Sequence, residues 1–192
     1  LMQAARSVRR MLVNEKEEES ETPHITNLAR ALLPMRDLED EIFGAILSED
    51  EIADSASPAL ASVRRKIRSA NERIRDRLNG YLHSDTMAKY LQDTLITMRQ
   101  GRYVLPVRAE YRSQVPGIVH DQSSSGATLF IEPMAIVEIN NDLRSLMGEE
   151  QAEIEKILAQ FSDSVSGQAG ALLENQRILA ELDFIFAKGA LA

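Results

Sequence analysis

The side chains best able to do chemistry here are cations gathered in the middle of the chain. Arg64, Arg65, Lys66, Arg68, Arg73, Arg75 and Arg77 fall within 14 residues, opposed there only by Glu72 and Asp76. Arg99, Arg102, Arg108, Arg112 and His120 follow, and then the loop Ser123-Ser124-Ser125-Gly126-Ala127-Thr128. Cations along a helix suit contact with phosphates, which is salt-sensitive and independent of base sequence. Small hydroxyl residues beside a glycine can present several N–H and O–H donors to an anion. Each pattern also has a plainer reading. The helix cations can pair with Glu149, Glu150, Glu153 and Glu155, in surface ion pairs that contribute roughly 0.2–1 kcal/mol each. The serine loop can be an ordinary polar hairpin loop. Tyr103 and Tyr111 can stack on bases, but tyrosine in a strand is more often packing.

Reactive constellations are sparse. His24, His83 and His120 are scattered and match no metal-ligand spacing, and with no cysteine there is no thiolate nucleophile, zinc-thiolate site or disulfide. A hydrolytic site drawn from His120, Asp121, Glu132 and the serines fails on geometry, because neighbours in a strand point to opposite faces. No G-x-x-x-x-G-K-[ST] loop occurs, so no P-loop nucleotide site is expected. The residues therefore predict no catalytic centre, no metal and no cofactor in this chain.

The elements that must position the cations follow from periodicity. Ser57 can cap a helix whose first turn accepts Pro58. The apolar positions Leu60, Val63, Ile67, Ala70, Ile74, Leu78 and Tyr81 then recur at 3–4 spacing, a narrow seam of coiled-coil type. The helix should run about 25 residues, or about 38 Å, and end near Asn79-Gly80 and His83–Asp85, with a short helix about Met87–Leu91. The pattern next turns to alternation in TLITMRQGRYVLPV, with Gln100-Gly101 as a two-residue turn, and then GIVHDQ and TLFIEP flank SSSGA. Four strands are predicted, about 94–99, 102–108, 117–121 and 128–132, in an antiparallel meander, with Pro106 at an edge or bulge. From Pro133 a second helical pattern runs about 50 residues through Ile139, Leu143, Met147, Ile154, Leu158, Phe161, Val165, Leu172, Leu179 and Leu182, softened at Gly167 and Gly170. Residues 1–54 read as short helices broken at Thr22-Pro23 and Pro34, the last carrying Leu38, Ile42, Phe43, Ile46 and Leu47. The expected fold is mainly α: an antiparallel pair of long helices carrying a small sheet at the far end.

The 192 residues carry a net charge of −8, and 44% of them are apolar, enough for a packed core. Resolved along the chain, the charge is −7 over 1–56, +7 over 57–112 and −8 over 113–192. An all-over basic binder is excluded; a local basic arm is not. No run of 18 apolar residues exists, so no membrane span or membrane partner is expected, and the lack of cysteine suits a reducing, cytoplasmic setting. The Arg-rich start LMQAARSVRRMLV is followed at once by EKEEESE, which argues against a transit peptide. It reads as a piece of a longer protein entered mid-helix.

The stretch TLITMRQGRYVLPVRAEYRSQVPGIVHDQSSSGATLFIEP resembles the signature region of the second bacterial MutS family, the MutS-like proteins with a C-terminal Smr nuclease domain. RIRDRLNGYL upstream and MAIVEINNDLRSL, EIEKIL and LDFIFAKGALA downstream are similar to that family too, so the resemblance covers 57–192 strongly and 1–56 only in composition and helicity. It implies a MutS-type helical core with two long antiparallel lever helices and a small antiparallel β clamp inserted at the tip. The divisions would be 1–56 as partial core, 57–93 as outgoing lever, 94–133 as clamp and 134–192 as returning lever rejoining the core.

The family's ATPase, with its ATP and Mg, and its Smr nuclease would lie outside this segment. What the resemblance leaves here is a non-catalytic nucleic-acid clamp and lever from a homodimeric parent. Its partners would be branched or duplex DNA, read without sequence preference, and the ribosome, with roles in suppressing recombination and rescuing collided ribosomes. The candidate contacts are Arg99, Arg102, Arg108, Arg112, His120, Ser123, Ser124, Ser125 and Thr128 on the clamp, and Arg64, Arg65, Lys66 and Arg68 on the lever. The competing expectation is a structural or dimerisation module that touches a sister clamp or the ribosome instead of DNA.

Overall fold

The computed structural model describes residues 1–13 and 23–191; the acidic run 15–21 and Thr22 lie outside them. The elements are α1 (Met2–Leu12), α2 (Pro23–Ala31), α3 (Arg36–Ala45), β1 (Ile46–Ser48), β2 (Glu51–Ile52), α4 (Pro58–Leu82), α5 (Asp85–Ala88), β3 (Thr97–Arg99), β4 (Arg102–Arg108), β5 (Gly117–Gln122), β6 (Thr128–Pro133), α6 (Met134–Gly167) and α7 (Ala169–Leu191). The chain is mainly α with two small antiparallel sheets. It divides into two compact units, Leu1–Ala56 with Glu155–Ala192, and Ser57–Ile154.

In the second unit α4 starts as its sequence dictates. The Ser57 hydroxyl accepts the Leu60 N–H at 2.9 Å, and Pro58 occupies the first turn, where its missing N–H costs nothing. Its seam buries Leu60, Ala70, Ile74 and Leu78, and Ile67 and Tyr81 pack at the margin. Ala70, Ile74 and Leu78 share one core with Ile136, Ile139 and Leu143 of α6 and with Leu91, Leu105, Val107, Val115 and Ile131 of the sheet region. The seam on α6 differs in detail from the expectation. Ile139 and Leu143 are buried, but Met147 and Leu158 are exposed, and Ile136 and Ile157 are buried instead. A straight helix turns every 3.6 residues, so a 3.5-residue seam drifts off its face within a few turns.

The sheet departs from a meander. Its strand order is β3-β4-β6-β5, so the last strand lies between the second and third. The two hairpins are as expected. Gln100 and Gly101 both take positive φ, 53° and 74°, which suits a tight turn whose twist matches the strands. Ser123–Ala127 closes the β5–β6 hairpin. Between the hairpins, residues 109–114 form a 3-10 turn instead of a tight reversal, which frees β6, with Leu129 and Ile131, to pair with β4. Pro106 is buried in β4, an inner strand of the sheet and not its edge. Its carbonyl accepts from Gln92 N–H at 2.8 Å while Arg108 N–H donates to Tyr90. Having no N–H to return, it limits pairing on that side to the single bridge Leu91–Val107. Gly117 is fixed by space: a Cβ there would lie 2.2 Å from the Glu132 carbonyl oxygen.

Three further expectations are corrected. The 50-residue helical pattern is two helices, α6 and α7, parted at Gln168, next to the softening glycine Gly167. Ile46 and Leu47 leave the helical register after Gly44-Ala45 and form β1, paired with β2; a short apolar pattern of this kind is ambiguous between helix and strand. The short helix expected at Met87–Leu91 ends by Ala88, and Leu91 joins the bridge to β4. The first unit packs Ala5 and Leu32 against Ile178 and Leu182, flanked by Val8, Leu12, Ile25, Leu28 and Leu179.

Candidate nucleic-acid interface

Most cations of the sheet are committed to the sheet itself. Glu132, wholly buried at the end of β6, receives three side chains. Arg102 Nη1 donates to Oε1 at 2.8 Å, Asn140 Nδ2 donates to the same oxygen at 2.7 Å, and His120 Nε2 lies 2.5 Å from Oε2. The other arm of Arg102 reaches Asn141 Oδ1 at 2.5 Å. His120 arrives there because the β5–β6 register slips between Val119 and Asp121, and such a bulge re-aims a side chain. Asp121 instead pairs with Arg99 at 3.2 Å, so the two neighbours do not converge on one site.

Asn140 closes a gap in the ladder. β6 pairs with β4 only as far as Leu105–Ile131, because Pro133, the residue that would come opposite Tyr103, has no N–H to offer. The Asn140 carboxamide stands in for the missing peptide: Oδ1 accepts Tyr103 N–H at 3.3 Å and Nδ2 donates to Tyr103 O at 3.1 Å. Tyr103 also donates its hydroxyl to Asn71 Oδ1 on α4 at 2.8 Å. Among the described residues no buried side-chain nitrogen or oxygen lacks a partner.

The remaining sheet positions divide clearly. Arg99 lies over the Phe130 ring at 3.9 Å and donates to Thr97 Oγ1 and Met98 O. Arg112 donates to the carbonyls of Val115 and Gly117 at 3.3 and 3.0 Å. In the loop, Ser123 N–H donates to Thr128 O and its hydroxyl accepts Thr128 N–H, while the Ser125 hydroxyl faces Ser123 and Ala127 N–H. Ser124 is exposed and makes no side-chain hydrogen bond among the described residues, and Arg108, paired in register with Thr128 beside this loop, is exposed and likewise unpaired.

The helix differs. Arg64 Nε lies 2.7 Å from Glu150 Oε1 on α6, and Arg68 is also engaged. Ser57, the cap, donates to Glu153 at 2.9 Å. Arg65, Lys66, Arg73, Arg75 and Arg77 are exposed and make no ion pair or side-chain hydrogen bond among the described residues. Lys66 and Arg73 line a groove between α4 and α6 together with Ser69, Ser145, Asp142 and Glu149.

The sequence reading missed Asn140, Asn141 and Asn71. Asn140 had a legible signal, since it lies four residues after Ile136 and three before Leu143, in the apolar register of α6. Among the described residues no group of His, Asp or Glu could hold a metal, and no helix is long and apolar enough to cross a membrane.

No family model matches the chain. Three curated relatives, each called Endonuclease MutS2, are similar along nearly all of it. The protein from Clostridioides difficile strain 630 is 51% identical over 191 residues, covering 100% of this chain and 24% of its own length. The one from Acetivibrio thermocellus is 47% identical over 192 residues, with 100% and 24% covered. The one from Symbiobacterium thermophilum is 52% identical over 176 residues, with 92% and 22% covered. The chain thus spans about a quarter of the length of the curated relatives it matches.

Proposed function

Starting from this kinship with one quarter of the MutS2 endonucleases, we propose that the chain is the nucleic-acid clamp and lever of such a protein. In this reading the four-stranded sheet is the clamp, α4 and α6 are the levers, and neither houses the nuclease step. Contact is with the phosphate backbone of duplex or branched DNA and carries no base sequence preference. The full-length parent is a homodimer that uses ATP and Mg elsewhere in its chain, suppresses recombination and acts on collided ribosomes.

One observation carries the reading: α4 leaves Arg65, Lys66, Arg73, Arg75 and Arg77 exposed and unpaired among the described residues. A structural helix pair would spend such charges on its acidic partner, as Arg64 does on Glu150. The reading assigns the α4 cations, Arg108 and Ser124 to the substrate. Arg102, Arg112, Arg99 and His120 hold the clamp in shape.

The test is the salt dependence of binding to a DNA four-way junction and to plain duplex. Changing the five unpaired α4 cations to Gln should lower the slope of log K against log salt by about 0.9 for each phosphate that is no longer neutralised. An unchanged slope and affinity would sink the reading.

A second reading has its own support. Ile118 and Val119 are 44% and 40% exposed on β5, an edge strand of the sheet, and an apolar edge invites a protein partner. Loss of self-association or of ribosome co-sedimentation on Val119→Lys, with DNA affinity intact, would favour it.

A further inference from the structure

We propose that a cleft in the first unit, lined by Arg6, Arg9, Arg10 and Arg36, binds a phosphate group. Three of these arginines follow the helical spacing i, i+3, i+4 on α1, so they share one face; Arg36 opens α3 across the cleft, and Val13 and Pro34 complete the wall. The cavity measures about 210 Å³, below the roughly 300–1,000 Å³ that suits an organic ligand, so a small anion fits it better than a base or a cofactor ring.

The four guanidiniums divide into two held and two waiting. Arg6 grips Glu39 with Nε and Nη2, at 3.1 and 2.7 Å. Arg9 Nη1 donates to the carbonyls of Arg30, at 2.8 Å, and Leu32. Both side chains are thereby fixed, and each keeps spare N–H donors. Arg10 and Arg36 are exposed and make no ion pair or hydrogen bond among the described residues. Among the described residues the acids nearby are on α3. Glu39 is taken by Arg6, and Asp37 and Asp40 sit on the same helix but do not line the cleft.

Four like charges around one cleft repel, and among the described residues Glu39, with Asp40 farther off, offsets part of that. A phosphate would relieve it and accept the charge-assisted, forked hydrogen bonds for which guanidinium geometry is matched. The start of α3 at the cleft wall adds the positive end of a helix dipole. The same chemistry could come from free phosphate species or from a nucleic-acid backbone, and the cleft does not depend on the clamp reading of the other unit.

The experiment follows the arginine Nε–H resonances of the full chain by NMR while inorganic phosphate, a nucleoside triphosphate or a single-stranded oligonucleotide is added. The expected result is saturable shifts at Arg6, Arg9, Arg10 and Arg36 with inorganic phosphate, not reproduced by chloride at equal ionic strength. Affinity should fall at least ~10-fold in Arg10→Gln with Arg36→Gln, and part of it should return with Lys at both positions, because a point charge replaces a fork. Shifts that never saturate, or that persist unchanged in the Gln double variant, overturn the proposal. Both residues are exposed, so the variants are expected to keep the wild-type circular dichroism. The oligonucleotide arm assigns the source. If the salt slope falls by about 1.4 in the double variant, as for two single-strand phosphates at ~0.7 each, the phosphate is a backbone phosphate. Saturable binding of inorganic phosphate with no oligonucleotide response assigns the cleft to free phosphate species. The α4 cations are untouched throughout, so failure here leaves the clamp test standing.

Discussion

The two units use the same polar device and stop at different degrees of completion. In the first unit the buried Asn175 of α7 accepts Leu33 N–H at 2.7 Å and donates to Leu33 O at 2.8 Å. In the second, Asn140 of α6 does the same to Tyr103. In both, a helical carboxamide satisfies a backbone N–H and C=O that face no strand or helix, next to a proline that could not have supplied an N–H: Pro34 follows Leu33, and Pro133 lies opposite Tyr103 on its β6 side. Each unit also buries one carboxylate against an arginine, Glu39 on Arg6 and Glu132 on Arg102. The difference is what surrounds the pair. Glu132 is also held by Asn140 and His120, so the asparagine and the carboxylate belong to one network. Among the described residues Glu39 takes side-chain hydrogen bonds from Arg6 alone, and Asn175 stands apart from it. A linked network fixes one geometry more tightly than separate pairs do, which suits a sheet that must keep its shape at the head of α6.

The largest expected effect breaks that network. Glu132→Ala leaves Arg102, His120 and Asn140 without their shared acceptor, and removing one partner of a buried pair costs about 3 kcal/mol or more. Hydrogen exchange should show the loss in β4 and β6 while α1 and α2 keep their protection. Equal loosening of both units would mean that the network is not local to the sheet.

Next in size are the two asparagines. Asn140→Ala and Asn175→Ala each orphan a backbone N–H and C=O, at about 2 kcal/mol apiece. Aspartate separates them. At 175 it keeps the acceptor and loses one donor, whereas at 140 it also sets a second carboxylate against Glu132. Denaturant titrations should therefore rank Asn140→Asp well below Asn175→Asp. Equal costs would show that Asn140 and Glu132 are not coupled.

A smaller effect probes the simpler pair. The hydrogen bond from Arg6 holds the Glu39 carboxyl below its ordinary value of 4.5, helped by the charges of Arg6 and Arg36. A carboxylate depressed in the folded state stabilises above its unfolded pKa, and that contribution is lost as pH falls through the folded value. The first unit should therefore keep this contribution at neutral pH and lose it on acidification below about 4.5. Arg6→Gln should flatten that acid limb of the stability profile; an unaltered limb would remove the pair from the account.

How much of this was legible depended on range. The α4 seam and its Ser57-Pro58 start are local patterns, and so are the Gln100-Gly101 turn and the four short strands. Strand order was not, because a period of two says which face a residue takes and not which strand lies beside it. The Glu132 network joins residues 8, 12 and 30 positions apart, across a bulge that no local pattern announced. The partners of Arg102, Arg112 and His120, all expected to face a substrate, were illegible for the same reason: they are Glu132 and two backbone carbonyls. Charge alone does not distinguish a cation awaiting a phosphate from one already holding a carboxylate or a carbonyl.

That distinction gives the smallest expected change in stability and the sharpest contrast. Replacing Arg65, Lys66, Arg73, Arg75 and Arg77 by Gln breaks no ion pair or side-chain hydrogen bond among the described residues. Each should therefore alter folding stability by no more than about 0.5 kcal/mol while DNA affinity falls and its salt slope flattens. Arg102→Gln should do the reverse. Without the guanidinium the buried Glu132 carboxylate keeps only Asn140 and His120, so the sheet weakens by about 2 kcal/mol, and the salt slope of the surviving fold hardly moves. Because both sets are cations within one unit, nonspecific electrostatics predicts the same change in slope for each charge removed. Opposite behaviour in the two measurements would mean that the partners each cation has already acquired, and not its charge, decide which surface meets the nucleic acid.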